Sequence, residues 1–569
     1  VIDLLLRGGV VHDGTGAPPR QADVAVVGRE IAAVGPDLPV RAARVIDAEG
    51  RAVCPGFVDL HSHSDLVFPL EPRRRLELLE GRIRQGITTE VVGNCGLGAF
   101  PLAAANRAIV ERLDGFLSPD GAWPAPWATA EEYLARLEAS RVPINVATLA
   151  AHGPLRTAAM GMTDRPPTPD EAAHMERELR AALRAGAFGL SFGLIYPPGV
   201  FAGFDEVARL CEVVREEGGF AAFHQRSGSP ELVRRAVDEV LEAGRASGAS
   251  VHLSHDHVQG EAAYPMIEGL LARGEAARAQ GIDFTADVIP YTGVCTTFLA
   301  LYPPWALAGG VAGFLALARD PDARRRMRRE METAVPEWPE GGRGWSTNIV
   351  RDVGWRNVFV AHVERERNRA AVGLSLEELG ARAGADPFDA LTDLLCDDGA
   401  LATMQLFGIS GDRADDAPLR RFLAHPGRSI VTDAWEIGKG RPHPGAYGAF
   451  PRVLARYVRE TGLLTMEAAV HKMTGQPAAR LGLADRGVVR AGAAADLLLV
   501  DPARVADAAT WEEPRRFAVG IDAVIVNGTV VWDGRSLADG AGQVLRAGRG
   551  GSGGPASAPP PAAPRPGRS

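Results

Sequence analysis

Between about residue 56 and residue 483 the chain repeats one pattern, a short apolar run followed by a longer amphipathic stretch rich in Ala, Glu, Arg and Leu. The apolar runs fall at 57–60, 88–92, 144–149, 189–192, 220–223, 251–254, 283–288 and 429–431. Short runs with little polar alternation suit strands buried on both faces. The stretches between most of them, 169–185 and 229–247 among them, read as helices. Eight strands alternating with helices predict a parallel (β/α)8 barrel of the TIM type, an α/β fold.

The two ends of the chain follow a different rule. Brief β-prone runs at 4–6, 10–12, 24–27 and 31–34 are punctuated by Gly8-Gly9, Asp13-Gly14 and Gly35-Pro36. Similar runs return at 496–501 and 523–526, then a turn at Asn527-Gly528 and a last run at 529–532. Neither end can bury a core alone, so residues 1–56 and 484–545 are expected to combine into one small β-sandwich domain. The barrel is then 57–483. Its seventh and eighth strands are too far apart for one crossover, which predicts an insertion at about 291–428 near the barrel mouth. That segment holds Tyr302-Pro303-Pro304-Trp305 and a basic helical run at 322–331. Residues 546–569 are Gly, Ser, Pro, Ala and Arg without apolar periodicity and are expected to form a disordered tail.

Composition narrows the function classes. The 569 residues suggest two or three structural units. A net charge of −9 argues against the broad basic surface that nucleic acid binding needs. No apolar run is long enough for a membrane-spanning helix. The first residues lack the basic, apolar and small-residue segments of a signal peptide. Five scattered cysteines (Cys54, Cys95, Cys211, Cys295, Cys396) read as reduced thiols. A cytoplasmic protein acting on a small molecule is expected, with no nucleic acid or membrane partner; oligomeric state is not legible.

The chemistry gathers where a barrel enzyme would place it, at the C-terminal ends of the predicted strands. His61 and His63 follow the first run at i and i+2, a spacing that aims both imidazoles to one face of a strand. Cys95 follows the second run, His224 ends the fifth, His255 the sixth and Asp433 the eighth. Singly, each has a plain structural reading: a lone cysteine is usually a small buried hydrophobe, a lone histidine a satisfied core residue, an aspartate a cap. Together, thiolate, imidazole and carboxylate at five strand ends suit zinc. Such an ion lowers the pKa of a bound water and polarises a carbonyl, and Asp433 is placed to move the proton. Of the three histidines at 252, 255 and 257, His255 is read as the ligand and His257 as pocket lining. His152 is read as structural.

The sequence 55–63, Pro-Gly-Phe-Val-Asp-Leu-His-Ser-His, resembles the first-strand motif of the amidohydrolase superfamily, and 487–497 resembles its C-terminal β-domain signature. Within that superfamily, the segments 86–96 (around Cys95) and 193–199, Ser254-His255, and His443-Pro444 followed by 448–452 are similar to the D-aminoacylase (N-acyl-D-amino-acid deacylase) group. The likeness runs in order from residue 1 to about 540. It implies zinc-dependent hydrolysis of a linear amide, with zinc on Cys95, His224 and His255. It also implies a second, weaker metal position on His61, His63 and Asp433, and Asp433 as catalytic base. Tyr196, His257, Arg226 and His443 are the candidate substrate-binding residues. The chain departs from the group at two cations that help hold a substrate carboxylate: His257 stands where Lys is usual, and Gly445 where Arg follows His-Pro. Lys439, Arg441 or Arg226 are the expected replacements. Two alternatives are a hydantoinase- or dihydroorotase-type cyclic amidase and a non-catalytic protein of the same fold. The first usually bridges two metals with a carboxylated lysine; this chain's only lysines, Lys439 and Lys472, lie at no middle strand.

Overall fold

A computed structural model of the chain describes residues 2–119, 123, 126–340 and 344–548. The apolar runs become strands whose residues are covered on both faces: Phe57–Asp59, Ile87–Val92, Asn145–Thr148 continued by Ala150–Ala151, Gly189–Gly193, Phe220–His224, Ser250–Leu253, Phe284–Val288 and Arg428–Ile430. Neighbours pair in parallel in chain order. A parallel bridge between Ser62 and Ala434 closes the ring, and the Asp433 amide donates to the His61 carbonyl at 2.9 Å. At the break in the third strand, Leu149 N donates to Val92 O and Phe188 N to Thr148 O, both at 2.9 Å, so the ladder is carried across. Val58, Leu60, Val91, Ala147, Leu149, Phe220, Ala222 and Val431 belong to one apolar cluster that fills the interior.

Helix boundaries follow local chemistry. Pro169–Ala185 starts with a capping box between Thr168 and Glu171, has proline in its first turn, and ends at Gly186 with φ 120°. One buried charge interrupts the strand Ile87–Val92. Glu90 is balanced by Arg82 Nε at 2.9 Å and accepts from Ser62 Oγ at 3.1 Å. Removing one member of such a pair strands a charge at a cost of about 3–5 kcal/mol, so this pair locks the first two strands to the helix Pro72–Arg84.

The chain ends share one eight-stranded sheet. Leu497–Val500 pairs antiparallel with Ala52–Pro55, which continues through Ile2–Val11 and Arg20–Val27 to Glu30–Gly35. That far edge bonds back to the segment entering Leu497: Ile31 N donates to Ala493 O at 2.8 Å, and Gly492 N to Ile31 O at 2.9 Å. The sheet therefore curls over a core of Leu4, Leu6, Val24, Val26, Ile31, Leu497, Leu499 and Ile525.

Between the seventh and eighth barrel strands lies a three-stranded antiparallel sheet, Gly293–Thr297, Thr403–Phe407 and Val358–His362. It shares an apolar core, including Phe298, Leu301, Phe314, Met327, Leu391 and Met404, with the surrounding helices. The basic run becomes the helix Pro321–Thr333, and four of its arginines are neutralised locally, Arg325 by Asp322 and Arg326 by Glu330 within the helix itself. Arg324 pairs with Asp389 and Asp393 at 2.8 and 2.6 Å, and Arg328 with Asp386 at 2.6 Å. Arg546, assigned to the tail from composition, instead joins the fold through Glu131 and Glu138 at 2.6 and 2.8 Å. The rest of that tail, from 549, lies outside the described residues. No helix among the described residues is long and apolar enough to cross a membrane.

Candidate active site

The candidate ligands lie at or within a few residues of the C-terminal ends of five barrel strands. The Cys95 sulfur lies 3.2 Å from His61 Nε2, 3.3 Å from His255 Nε2 and 3.5 Å from His224 Nδ1. Asp433 Oδ1 lies 3.2 Å from His61 Nε2 and 3.1 Å from His63 Nε2. Donor atoms of His61, Cys95, His255 and Asp433 all fall within 4.8 Å of one another, and all four residues are buried. All six residues expected to bind metal therefore converge at one place.

Backbone conformation contributes to this convergence. Eight described residues other than glycine have a left-handed φ, and three of them are Cys95 (54°), His255 (36°) and Asp433 (45°). Each such residue costs about 1–3 kcal/mol and persists only where its surroundings over-determine it. The local ties are visible. Asp433 N bonds to His61 O, His255 N to the Asp287 carboxylate, and the amide after Cys95 to Ser191 Oγ at 3.0 Å.

The donor set fits a zinc ion. Ligand atoms about 2.0–2.3 Å from a tetrahedral zinc stand roughly 3.3–3.6 Å apart, close to the separations around Cys95. Burial opposes ionisation of Cys95, yet His61, His255 and His224 hold its thiol well below the ordinary range. Asp433 likewise resists burial through His61, His255 and His63 and stays well below a normal carboxyl. Its side chain keeps 12% exposure against 0% for His61, so it is the more accessible of the two.

Asp287, which sequence reasoning missed, organises the floor beneath the cluster. Its Oδ2 lies 3.7 Å from His61 Nδ1 and 2.8 Å from His252 Nε2, while Oδ1 accepts the His255 amide. The available signal was an acid in the otherwise apolar end of the seventh strand, Ala286-Asp287-Val288. His252 is engaged by Asp287 and by Thr285, the latter at 2.7 Å, and makes no direct contact with Cys95 or Asp433 among the hydrogen bonds and ion pairs of the site. His152 bonds Glu206 at 2.8 Å inside the fold.

A cavity adjoins the cluster, with His224, His255 and Asp433 in its wall. Ile195, Val288, Ile289, Val294, Ile349, Leu406, Ile409 and Leu419 supply much of the remaining surface, in part from the segment between the last two barrel strands. Tyr196 and His257 line it as expected. Tyr196 OH lies 2.9 Å from Thr296 Oγ1, and His257 Nδ1 donates to His255 O at 2.7 Å. Burial, then His255 and His224, push His257 down to about 3, so its ring is neutral at physiological pH.

Two substrate-binding expectations are corrected. Arg226 lies outside the cavity wall; its guanidinium is held in the interior by Glu239, with contacts of 2.9 Å, and by the carbonyls of Val200 and Ala202. His443 has both ring nitrogens engaged, Nε2 with Gly293 O at 3.0 Å and Nδ1 with Gly445 N at 2.9 Å, and packs against Tyr291 and Trp511. It ties the loop after the eighth strand to the strand Gly293–Thr297. A Cβ at Gly445 would lie 2.7 Å from His443 Nδ1, so the arginine usual at that place would displace this ring. Lys439 is paired with Glu364 at 2.9 Å, and the Arg441 guanidinium lies against Gly373.

Comparison with known proteins agrees with this geometry. The model of the amidohydrolase family matches residues 44–532. An N-acyl-D-glutamate deacylase of Alcaligenes xylosoxydans xylosoxydans is 36% identical over 547 residues, 96% of each chain. A D-aminoacylase of the same organism is 34% identical over 546 residues, 95% of this chain and 97% of that one. Among solved structures, N-acyl-D-glutamate deacylase from Bordetella bronchiseptica, complexed with zinc and a phosphonate mimic of the tetrahedral intermediate, superposes with a TM-score of 0.78. It is 34% identical, and the match covers 96% of this chain and all of that one. With its sequence and its whole architecture shared over nearly its full length, the chain belongs to the amidohydrolase family, in the group that contains the D-aminoacylases.

Proposed function

We propose that the protein hydrolyses the N-acyl bond of a linear amide, the bond its deacylase relatives are named for cleaving, with Asp433 as general base and acid. The observation that carries this reading is the convergence of Cys95, His61, His63, His224, His255 and Asp433 at the barrel mouth beside a cavity. In this reading Cys95, His224 and His255 hold a zinc ion, and His61, His63 and Asp433 offer a second position. Bound there, the ion supplies Lewis acidity, which activates water and polarises the amide carbonyl. The chain's own residues do the remainder. Asp433, kept ionised by the imidazoles around it, accepts a proton from the attacking water on a carboxylate oxygen and returns it to the leaving nitrogen. His61 and His63 hold Oδ1 in place, and Tyr196 and His257 face the bound substrate.

A carboxylated lysine, usual in cyclic amidases, has no counterpart here. Lys439 is spent on Glu364, and Lys472 bonds the carbonyls of His425 and Arg428. The decisive experiment combines metal analysis with acetate release from N-acetyl amides. Asp433→Asn is expected to keep zinc and lose turnover by about 10²–10⁴-fold, the usual weight of a general base. Cys95→Ala is expected to lose zinc itself. Near-normal turnover in the first variant, or full zinc in the second, removes that residue from its assigned role.

A further inference from the structure

The chemistry of the cavity wall restricts what the substrate can carry. Eight aliphatic side chains line the cavity, and among the described lining residues there is neither lysine nor arginine. The ionisable carboxylates in the wall are Asp433 and Asp256, and Asp256 is already paired with Arg428 at 2.8 Å. Of the cations close in sequence to the site, Arg226 is committed to Glu239, Lys439 to Glu364 and Arg452 to Asp507 at 3.3 Å, while the Arg441 guanidinium lies against Gly373 and does not line the cavity. A substrate carboxylate seated against this wall would give up its hydration without gaining a lysine or arginine partner. Of the hydroxyls in the wall, Tyr196 and Thr296 are bonded to each other and Ser410 accepts from Val258 N, which leaves the Tyr291 hydroxyl, a neutral donor, as the one without a partner among them.

We infer that the site takes an uncharged amide, with an aliphatic group in the cavity and no carboxylate beside the scissile bond. This rests on the amide-hydrolysis reading above and specifies its substrate class. The test is acetate release by the zinc-loaded full chain from N-acetyl-D-leucinamide, N-acetyl-D-leucine and N-acetyl-D-glutamate, each also in the L form. Acetate reports cleavage of the acetyl amide alone. The leucinamide should exceed the leucine in kcat/KM by at least about tenfold, with the glutamate weakest. Equal or better turnover of either acid overturns the inference and leaves amide hydrolysis standing. No acetate from any compound overturns the parent reading instead, and the inference with it. A second arm places a cation in the wall at the half-buried Val294. Val294→Lys should shift the leucine-to-leucinamide ratio toward the acid by about tenfold or more. An unchanged ratio in a folded, zinc-containing variant would mean that charge is not sensed in this cavity.

Discussion

At the scale of single residues the site depends on groups that never meet substrate. Asp287 is the clearest case, since it faces His61 Nδ1, bonds His252 and holds the left-handed backbone of His255. It acts as a positioning residue: outer partners of metal-binding imidazoles fix ring orientation, and their loss typically lowers metal affinity about 10–100-fold. Asp287→Asn should therefore weaken zinc binding by about that factor while the protein stays folded, as read by titration with a competing chelator. Unchanged affinity would reduce Asp287 to a packing role. His-x-His, Cys95, His224, His255 and Asp433 were legible because metal-binding side chains seldom fall together at successive strand ends. Arg226 and His443 were misread for the opposite reason. A cationic or ring side chain does not announce its partner, and here the partners are Glu239 on the following helix and the distant Gly293 carbonyl.

At the scale of elements, the barrel is held at its base as well as at its mouth. Lys472, in the helix Met466–Met473, reaches the carbonyls of His425 and Arg428 where the eighth strand begins. Burial, and then Arg428, push its ammonium down to about 7. Below that pH both folded and unfolded chains carry the proton, and the full penalty of the buried charge is present. Between about 7 and 10.4 only the unfolded chain holds it, so stability climbs as the pH rises. Relative to Lys472→Met, the wild type should gain on the order of a few kcal/mol between pH 7 and 10, measured by denaturant unfolding. Parallel curves for the two proteins would show that Lys472 titrates normally. The strands themselves were legible within a residue or two, because a strand covered on both faces shows as an apolar run with little polar interruption. The turns that follow were not: the left-handed conformations of Cys95, His255 and Asp433 belong to residue types that do not require them.

At the scale of the molecule, the two chain ends depend on each other. Ala52–Pro55 finds its antiparallel partner in Leu497–Val500, and Ile31 bonds to Ala493, so the small domain has no complete core until both ends are present. A chain ending at 483 keeps all eight barrel strands but bares Ala52–Pro55 as an unpaired edge. It should fail to give a cooperatively unfolding species and should self-associate, as judged by size-exclusion chromatography and thermal unfolding. A monodisperse, fully zinc-binding product would contradict this dependence.

The sequence by itself determined the alternation of strand and helix, the barrel, the return of the last strands to the first, and the ligand types at the mouth. Each is written in local periodicity or in the position of a residue on its own strand. Tertiary structure alone decided which cations are spent in the interior, which acid supports His61, and what walls the cavity. Those outcomes depend on pairings such as Arg226 with Glu239, Asp287 with His61 and Leu406 with the barrel mouth. An ion pair or an apolar wall is made by two segments at once, and neither segment records the other.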